Sequence, residues 1–312
     1  MKSVGNFLGL FCLVLLFGYI LFNETRHATS PTRISDESVA EPEFQLEDGP
    51  LPAISFDVPN AASFAHEPVP LDIPDVRERL DKELQINIYF HSNTIFLIKR
   101  ANRWLPQIEK ILKANGIPED FKYLPLIESS LLNAVSPAEA VGFWQILKSA
   151  GKENGLEINK EVDERYDPLK ATEAACRYLK KAHARFGNWT LVAASYNRGM
   201  NGLERAIENQ RENSYYDLFL NDETSRYVFR ILAIKEIIQN PERYGFKINP
   251  KHVYEEEPLR YIEVRETVKD LVDFAKQHDT NYKMIKRHNP WLRDDKLTVK
   301  KGDAYQIAIP KE

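Results

Sequence analysis

Apolar side chains recur at three- and four-residue spacing from Asp75 to about residue 245, and this period constrains the fold more than any other feature of the chain. It is the period of one face of an α-helix, whereas the alternation typical of strands is scarce in this stretch. The clearest positions in the first part are Val76, Leu80, Leu84, Ile95, Leu97, Ile98, Trp104, Leu105, Ile108, Ile111 and Leu112. We therefore expect residues 73–250 to form one all-helical domain.

Local signals place several helix ends inside this domain. Asp167 followed by Pro168 is typical of an N-cap and a first helical turn, and Gly187 is typical of a helix end, which predicts one helix between them. Asp222 is predicted to cap a further helix over 223–240.

The pattern changes after Pro258, where two separate segments alternate as strands do. The alternating positions are Tyr261, Ile262 and Val264 in the first segment and Tyr305, Ile307 and Ile309 in the second. Two short helical stretches, 268–277 and 281–288, lie between them. The fold class is thus predicted to be mainly α, with a small βααβ module over 258–312.

An uncharged apolar run from Val4 to Phe22 follows Lys2 at the start of the chain. Its length is close to the roughly 20 residues that a membrane-spanning helix needs, and no clear small-x-small cleavage pattern follows. We interpret residues 1–27 as a retained signal anchor, with the rest of the chain on the exported side; a cleaved signal peptide is the alternative.

Residues 28–72 have the composition of an extended linker. They carry seven of the eighteen prolines and nine acidic residues against one basic residue, Arg33, with little periodicity. Such a composition favours a tether between a membrane segment and a folded domain.

Charge and cysteine content exclude several classes of function. A net charge of -4 gives no broad positive field, which argues against nucleic acid as a partner. Cys12 lies in the apolar run, so Cys176 has no partner for a disulfide and is expected to be a small buried hydrophobe. The sequence has no HExxH, paired CxxC, GxSxG or phosphate-binding glycine loop, and neither a metal nor a cofactor is expected.

One acidic residue stands out in the helical region because its neighbours are apolar. Helical spacing places Glu128 on one face with Ile127, Leu131 and Leu132. Burial disfavours the charged form of a carboxyl group and raises its pKa, which is how a glutamic acid is kept protonated for proton donation. The alternative is a glutamate at a helix edge that pairs with a base such as Lys122.

Four motifs in a fixed order carry a resemblance to a known family. They are LPLIES over 124–129, SPAEAVGFWQ over 136–145, VDERYDP over 162–168 and AASYNRG over 193–199. In their order and spacing they resemble the catalytic domain of the lytic transglycosylase (SLT, goose-lysozyme-like) family, whose fold is lysozyme-like. Any single motif is weak, but the ordered set is specific.

The resemblance implies roles for individual residues. Glu128 stands at the position of the family's lone catalytic glutamate, which acts first as the acid and then as the base. The positions that match substrate-groove residues are Ser136, Gln145, Tyr196, Asn197 and Tyr227. Among these residues, Asn197 best fits a structural role. Capping or packing roles are the alternative for each of them.

The reaction implied is cleavage of the β-1,4 bond between N-acetylmuramic acid and N-acetylglucosamine in peptidoglycan, without water, to leave a 1,6-anhydro end. The implied partners are peptidoglycan strands and, through the N-terminal segment, the cytoplasmic membrane; the implied location is the cell envelope, and the oligomeric state stays open. Glu139 stands where the family commonly has glycine, so a hydrolytic muramidase remains an alternative. A catalytically silent peptidoglycan-binding scaffold is another.

The C-terminal module resembles a divergent LysM domain. The similar segments are 268–275, 282–291 and 299–303. The Gly-Asp-Thr motif that usually opens such modules is replaced by Arg265-Glu-Thr267. The resemblance implies a LysM-like fold, and it leaves open whether the module binds glycan or is a packing appendage.

Overall fold

The computed structural model describes residues 54–311. The predicted signal anchor over 1–27 and the first part of the predicted linker lie outside the described residues. Within the described part, no helix combines the length and apolarity that a membrane crossing requires.

Ten α-helices lie in the described residues and are numbered here in chain order. They are α1 (Pro74–Tyr89), α2 (His91–Ala114), α3 (Leu124–Ser129), α4 (Lys148–Glu153), α5 (Pro168–Phe186), α6 (Trp189–Arg198), α7 (Met200–Gln210), α8 (Asp222–Gln239), α9 (Leu271–Gln277) and α10 (Tyr282–His288). Short 3₁₀ helices span Glu119–Tyr123, Glu164–Tyr166, Pro241–Tyr244 and Pro250–His252. The mainly helical fold confirms the prediction.

Helix α5 has the ends that the sequence predicts. The Asp167 side chain accepts hydrogen bonds from the backbone N–H groups of Leu169 (2.9 Å) and Lys170 (3.1 Å). Gly187 ends the helix with φ of 66°, a left-handed conformation that glycine adopts without steric cost. These signals act within a few residues, which is why the sequence alone could locate them.

Helix α8 is the central helix of the domain and packs against α1, α3 and α6. Its buried side chains include Tyr227, Val228, Phe229, Ile231, Leu232, Ala233, Ile234 and Ile237. The predicted cap at Asp222 is wrong, because Asn221 holds the N-cap position without a side-chain cap bond. Asp222 lies in the first turn, where its charge interacts favourably with the helix dipole.

Residues 54–72 differ from the extended linker that their composition predicts. Strands β1 (Ser63–Phe64) and β2 (Glu67–Pro68) form a small antiparallel hairpin. Residues of this segment that are buried in the core of the helical domain are Val58, Phe64, Ala65, Val69 and Leu71. Their spacing follows neither the helical nor the strand period, so the sequence pattern did not reveal them.

The hairpin also makes polar contacts with the helices. Asp120 accepts a hydrogen bond from the backbone N–H of Ala65 at 2.7 Å and pairs with Lys235 at 2.8 Å. The Glu67 carboxylate accepts from the backbone N–H groups of Trp189 (2.6 Å) and Thr190 (3.0 Å). Glu67 thus satisfies two N–H groups at the start of α6 that no intrahelical carbonyl can reach.

The C-terminal module (residues 258–311) has the predicted βααβ order. Strand β3 (Leu259–Val264) pairs antiparallel with β4 (Tyr305–Pro310), with Leu259 opposite Pro310 and Val264 opposite Tyr305. Helices α9 and α10 lie between the strands in sequence. The module has its own core, formed mainly by Leu271, Ala275, Ile285, Trp291, Leu292, Leu297, Ile307 and Ile309.

The Cys176 side chain is fully buried in the helical core. Burial raises the pKa of its thiol to about 12, so the reactive thiolate is not formed at neutral pH. This agrees with the small buried hydrophobe that the sequence predicts.

We predict that Glu67→Ala destabilises the fold by about 1 kcal/mol, because two N–H groups at the start of α6 lose their acceptor. Urea unfolding monitored by circular dichroism measures this change. Glu78→Ala, which removes an exposed glutamate of α1, is the matched control and is expected to leave the midpoint unchanged. Equal midpoints for the two variants would contradict the capping role.

Candidate active site

Helix α3 is short, and Glu128 lies in its last turn. The backbone turns sharply after Ser129, with left-handed φ values of 54° at Ser130 and 58° at Leu131. The predicted helical face that continues to Leu132 therefore does not form: Leu131 is buried and Leu132 is exposed. Glu128 stands at the end of the helix and not in an apolar stripe.

Contacts from other elements hold this turn in place. The Arg100 guanidinium of α2 donates to the carbonyl of Ser130 at 2.7 Å. The Ser129 hydroxyl donates to the carbonyl of Phe143 at 2.9 Å. The end of α3 is thereby fixed to α2 on one side and to the following loop on the other.

The Tyr227 hydroxyl of α8 donates a hydrogen bond to Oε1 of Glu128 at 2.5 Å. The Tyr227 side chain is buried, while Glu128 is partly exposed. Oε2 of Glu128 makes no hydrogen bond to any of the residues 54–311. One carboxyl oxygen is thus anchored by the tyrosine, and the other is free to meet a ligand.

The pKa of Glu128 is raised above its ordinary value, and burial is the largest cause. The hydrogen bond from Tyr227 and the positive charge of Arg230 lower this pKa, whereas the negative charge of Glu223 raises it. Burial was the cause that the sequence predicted. The neighbouring groups are different, however: Tyr227 comes from α8 and Tyr196 from α6.

A loop over residues 133–146, here called the site loop, follows α3. Isolated bridges pair Val135 with Val141 and Val141 with Ile146. Gly142 packs against the backbone of Arg165 so closely that an added Cβ would lie 2.0 Å from the Arg165 carbonyl oxygen. Only glycine fits at this position, and its φ of 80° adds to that requirement.

Gln145 and Ser136 lie on the site loop, and their side chains brace it. The Gln145 amide nitrogen donates to the carbonyls of Ala134 (3.1 Å) and Gly142 (2.9 Å), and its backbone has a left-handed φ of 47°. The Ser136 Oγ accepts from the N–H of Ala140 at 3.0 Å. Among the described residues, the Gln145 Oε1 and the Ser136 hydroxyl proton have no hydrogen-bond partner.

Glu139 lies at the turn of the same loop, with an exposed side chain and φ of 60°. Its backbone carbonyl accepts a hydrogen bond from Arg165 at 3.1 Å. Its carboxylate makes no hydrogen bond or ion pair within residues 54–311. Glu139 thus has none of the anchoring contacts that Glu128 has.

Tyr196 of α6 lies close to Glu128 but bonds elsewhere. Its hydroxyl donates to the carbonyl of Trp144 at 2.7 Å, next to Gln145 in the chain. Burial and, second, the nearby charge of Glu128 raise the pKa of Tyr196. The phenol therefore ties α6 to the site loop and contributes a wall beside the carboxyl group.

The Asn197 side chain connects α6 with the start of α8. Its amide nitrogen donates to Glu223 at 2.9 Å, and its amide oxygen accepts from the Thr224 hydroxyl at 2.7 Å. Both the nitrogen and the oxygen of the amide form hydrogen bonds within the protein, which agrees with a structural role for Asn197. A substrate-binding role for Asn197 stays a prediction.

Sequence reasoning missed three charged residues of the site. Arg230 donates to the carbonyl of Ile127 at 2.6 Å and lies one helical turn after Tyr227, so their spacing could have paired them. Arg100 and Arg165 come from distant segments, and no local signal connects them with Glu128.

We predict that Tyr227→Phe raises the pKa of Glu128, because it removes a hydrogen bond that stabilises the charged carboxylate. Carbon-13 NMR titration of glutamate carboxyl groups, with the Glu128 signal assigned by its loss in Glu128→Gln, measures the midpoint. Tyr196→Phe is the matched control, since its hydroxyl bonds to Trp144. An unchanged or lower midpoint in Tyr227→Phe would contradict the prediction.

We also predict that Glu128→Gln stabilises the fold at neutral pH. The pKa of Glu128 in the folded state lies above its unfolded value, so stability is lost as pH rises through the folded pKa. The amide does not carry this penalty. Urea unfolding at several pH values should show a gain that is largest above the folded pKa and disappears below the unfolded one. A gain independent of pH would refute this explanation.

Comparison with known proteins finds a matching family model for the helical domain and another for the C-terminal module. The model of the "Transglycosylase SLT domain" matches residues 106–219, and that of the "Soluble lytic transglycosylase C-terminal LysM-like domain" matches 260–312. Membrane-bound lytic murein transglycosylase D from Escherichia coli K12 and that from strain O6:H1 are each 31% identical over 195 residues. This alignment covers 60% of the chain and 42% of each relative, so the chain spans less than half their length. Residues 106–219 are thus similar to a transglycosylase SLT domain, and residues 260–312 are similar to the LysM-like domain of soluble lytic transglycosylases.

Proposed function

We propose that this protein is a peptidoglycan lytic transglycosylase and that Glu128 is its catalytic acid and base. One observation carries the proposal: in an SLT domain, Glu128 has a raised pKa and a direct hydrogen bond from the buried Tyr227. The names of the E. coli relatives, which describe lytic murein transglycosylases, support the same activity.

In the first step the protonated Glu128 donates its proton to the oxygen that joins N-acetylmuramic acid to N-acetylglucosamine. The bond from this oxygen to C1 of the muramic residue breaks, and the N-acetylglucosamine portion leaves as an alcohol. The raised pKa favours the protonated carboxyl group that this step requires. The unbonded Oε2 is the oxygen best suited to carry the proton.

In the second step the Glu128 carboxylate takes the proton from the C6 hydroxyl of the same muramic residue. The C6 oxygen attacks C1, and a 1,6-anhydro ring closes. No water is consumed, and Glu128 regains its proton. The substrate supplies its own nucleophile, so the second carboxylate of an ordinary glycosidase is not needed.

The hydrogen bond from Tyr227 assists the first step. It favours the charged carboxylate, which forms once the proton has left Glu128. Burial and the hydrogen bond thus shift the pKa in opposite directions, and the group remains able both to give and to take a proton. Arg230 contributes in the same direction as Tyr227.

The site loop and α6 would bind the sugars. Gln145 Oε1 can accept a hydrogen bond from a sugar hydroxyl or amide, and the Ser136 hydroxyl can donate to the carbonyl of an N-acetyl group. Tyr196 would shape the wall beside Glu128, and Asn197 would hold α6 against α8. We place this activity on the exported side of the membrane, anchored by residues 1–27, with 73–250 and 258–312 as the catalytic and LysM-like domains.

Hydrolysis by the same fold is the second candidate, and Glu139 is the observation that favours it. Its exposed carboxylate has no partner in the described residues, and in a hydrolytic enzyme it would activate a water molecule. In a hydrolytic enzyme, replacement of this group would impair turnover. In the transglycosylase it would not.

The two candidates differ in the mass of their products. Purified sacculi are digested with residues 54–312, and the released muropeptides are analysed by mass spectrometry. We expect anhydro ends, which are lighter by one water than the hydrolysed equivalents. Reducing ends in the wild-type products would establish hydrolysis, and binding without release would establish a silent scaffold.

Substitution of the two carboxylates tests the roles of the residues. We predict that Glu128→Gln lowers turnover by about 10³-fold, because the amide cannot transfer the proton. The variant should keep the fold and pellet with sacculi like the wild type. Glu139→Gln is the matched control and should stay within about twofold of wild type on the same scale. Substantial turnover by Glu128→Gln would overturn the assignment of the acid.

A further inference from the structure

A hairpin over residues 156–165, here called the bracing hairpin, is buried in two different cores. A bridge between Ile158 and Asp163 closes it, and the Asn159 N–H donates to the Val162 carbonyl at 2.7 Å. Leu156 and Ile158 belong to the core of the helical domain. Val162, at the other end, belongs to the core of the C-terminal module.

Backbone contacts join the tip of the hairpin to the module. The Asp163 N–H donates to the Trp291 carbonyl at 2.9 Å, and the Arg293 N–H donates to the Glu161 carbonyl at 2.7 Å. Val162 pairs with Leu292 between them as in a short antiparallel ladder. The module therefore continues the hairpin with a third short strand.

Side chains of the hairpin strengthen the same contact. The Glu161 carboxylate accepts from the backbone N–H of Thr298 at 2.7 Å and from its hydroxyl at 3.1 Å, and it pairs with Lys296 at 3.3 Å. The Tyr305 hydroxyl donates to Glu157 at 2.9 Å. Each of these contacts joins one residue of the hairpin to one of the module.

On its other side the hairpin holds the site loop through Arg165. The Arg165 side chain is buried and forms a two-pronged ion pair with Asp163, at 3.0 and 2.7 Å. Its third nitrogen donates to the carbonyls of Glu139 (3.1 Å) and Ile146 (3.2 Å). These carbonyls lie on the two sides of the site loop, on either side of Gln145 and the tight contact at Gly142.

We propose that Arg165 is a positioning residue that fixes the site loop, and that the C-terminal module supports it through the bracing hairpin. The C-terminal module would then have a structural role in the active site: it would stabilise the conformation of the site loop. The consequence for turnover rests on the function proposed above; the effect on the loop does not.

The site loop needs external support. Glu139 and Gln145 both have left-handed backbone conformations, which are unfavourable for residues with a side chain and persist only where surrounding contacts hold them. Arg165 supplies such contacts beside both residues. A guanidinium group is suited to this, because its planar fork bonds one carboxylate and two carbonyls at once.

The test compares two variants by hydrogen–deuterium exchange of the full chain. Arg165→Lys keeps the charge but loses the fork. Glu161→Ala loses side-chain contacts with the module and leaves Arg165 intact. We expect faster exchange in peptides that contain the N–H groups of Gly142 and Ile146, with no change in α8. Glu263→Ala, an exposed glutamate that pairs with Arg265 inside the module, is the matched control and should leave the loop unchanged.

Turnover and its pH dependence provide the second measurement. Arg165 makes no contact with Glu128, so Arg165→Lys should lower kcat/KM on the order of tenfold. The midpoint of the high-pH limb, where Glu128 loses its proton, should not move. A small displacement of a substrate-positioning loop is enough for such a loss.

Unchanged exchange of the site loop in both folded variants would overturn the proposal, as would faster exchange spread equally through α8. If Arg165→Lys does not fold, the exchange rates of the site loop in Glu161→Ala and Glu263→Ala are compared, and this comparison alone tests the proposal. If the wild type releases no anhydro products, the proposed function fails, and the exchange measurement still tests the positioning role.

Discussion

The position of Glu128 depends on the central helix α8. The helix that carries Glu128 has only six residues and could not bury a carboxyl group by itself. Helix α8 supplies the Tyr227 hydroxyl that bonds Oε1, and Arg230, which bonds the adjacent backbone. Because α8 also forms much of the core with α1 and α6, the stability of the whole helical domain maintains the geometry at one carboxyl group.

The site loop is held by a different set of contacts. Its conformation depends on Gln145, on the close approach at Gly142, and on the buried Arg165. Arg165 can be buried only because Asp163 neutralises it and carbonyl groups accept its remaining protons. Helix α8 thus supports Glu128 and Arg165 supports the loop, and the hydrogen bond from the Ser129 hydroxyl to the Phe143 carbonyl joins the two.

Much of the fold could be predicted from the sequence because its signals are local. The ends of α5 follow from Asp167 and Gly187, and the βααβ order follows from a change of period. The errors arose where distant contacts decide. Five side chains of residues 54–72 are buried in the helical core without any period of their own, and the N-cap position falls on Asn221, so Asp222 lies in the first turn.

The sequence by itself determined the helical domain and the small module and singled out Glu128 as the candidate acid, since periodicity, capping residues and ordered motifs are properties of neighbouring positions. Tertiary structure alone decided why the pKa of Glu128 is raised, because the chain turns at Ser130 and Leu131 and the groups around the carboxyl come from α6 and α8, which are distant in the chain. It also decided that Arg165 bonds the site loop and that the module packs on the hairpin beside it. Such contacts join segments far apart in the chain, and no local pattern encodes them.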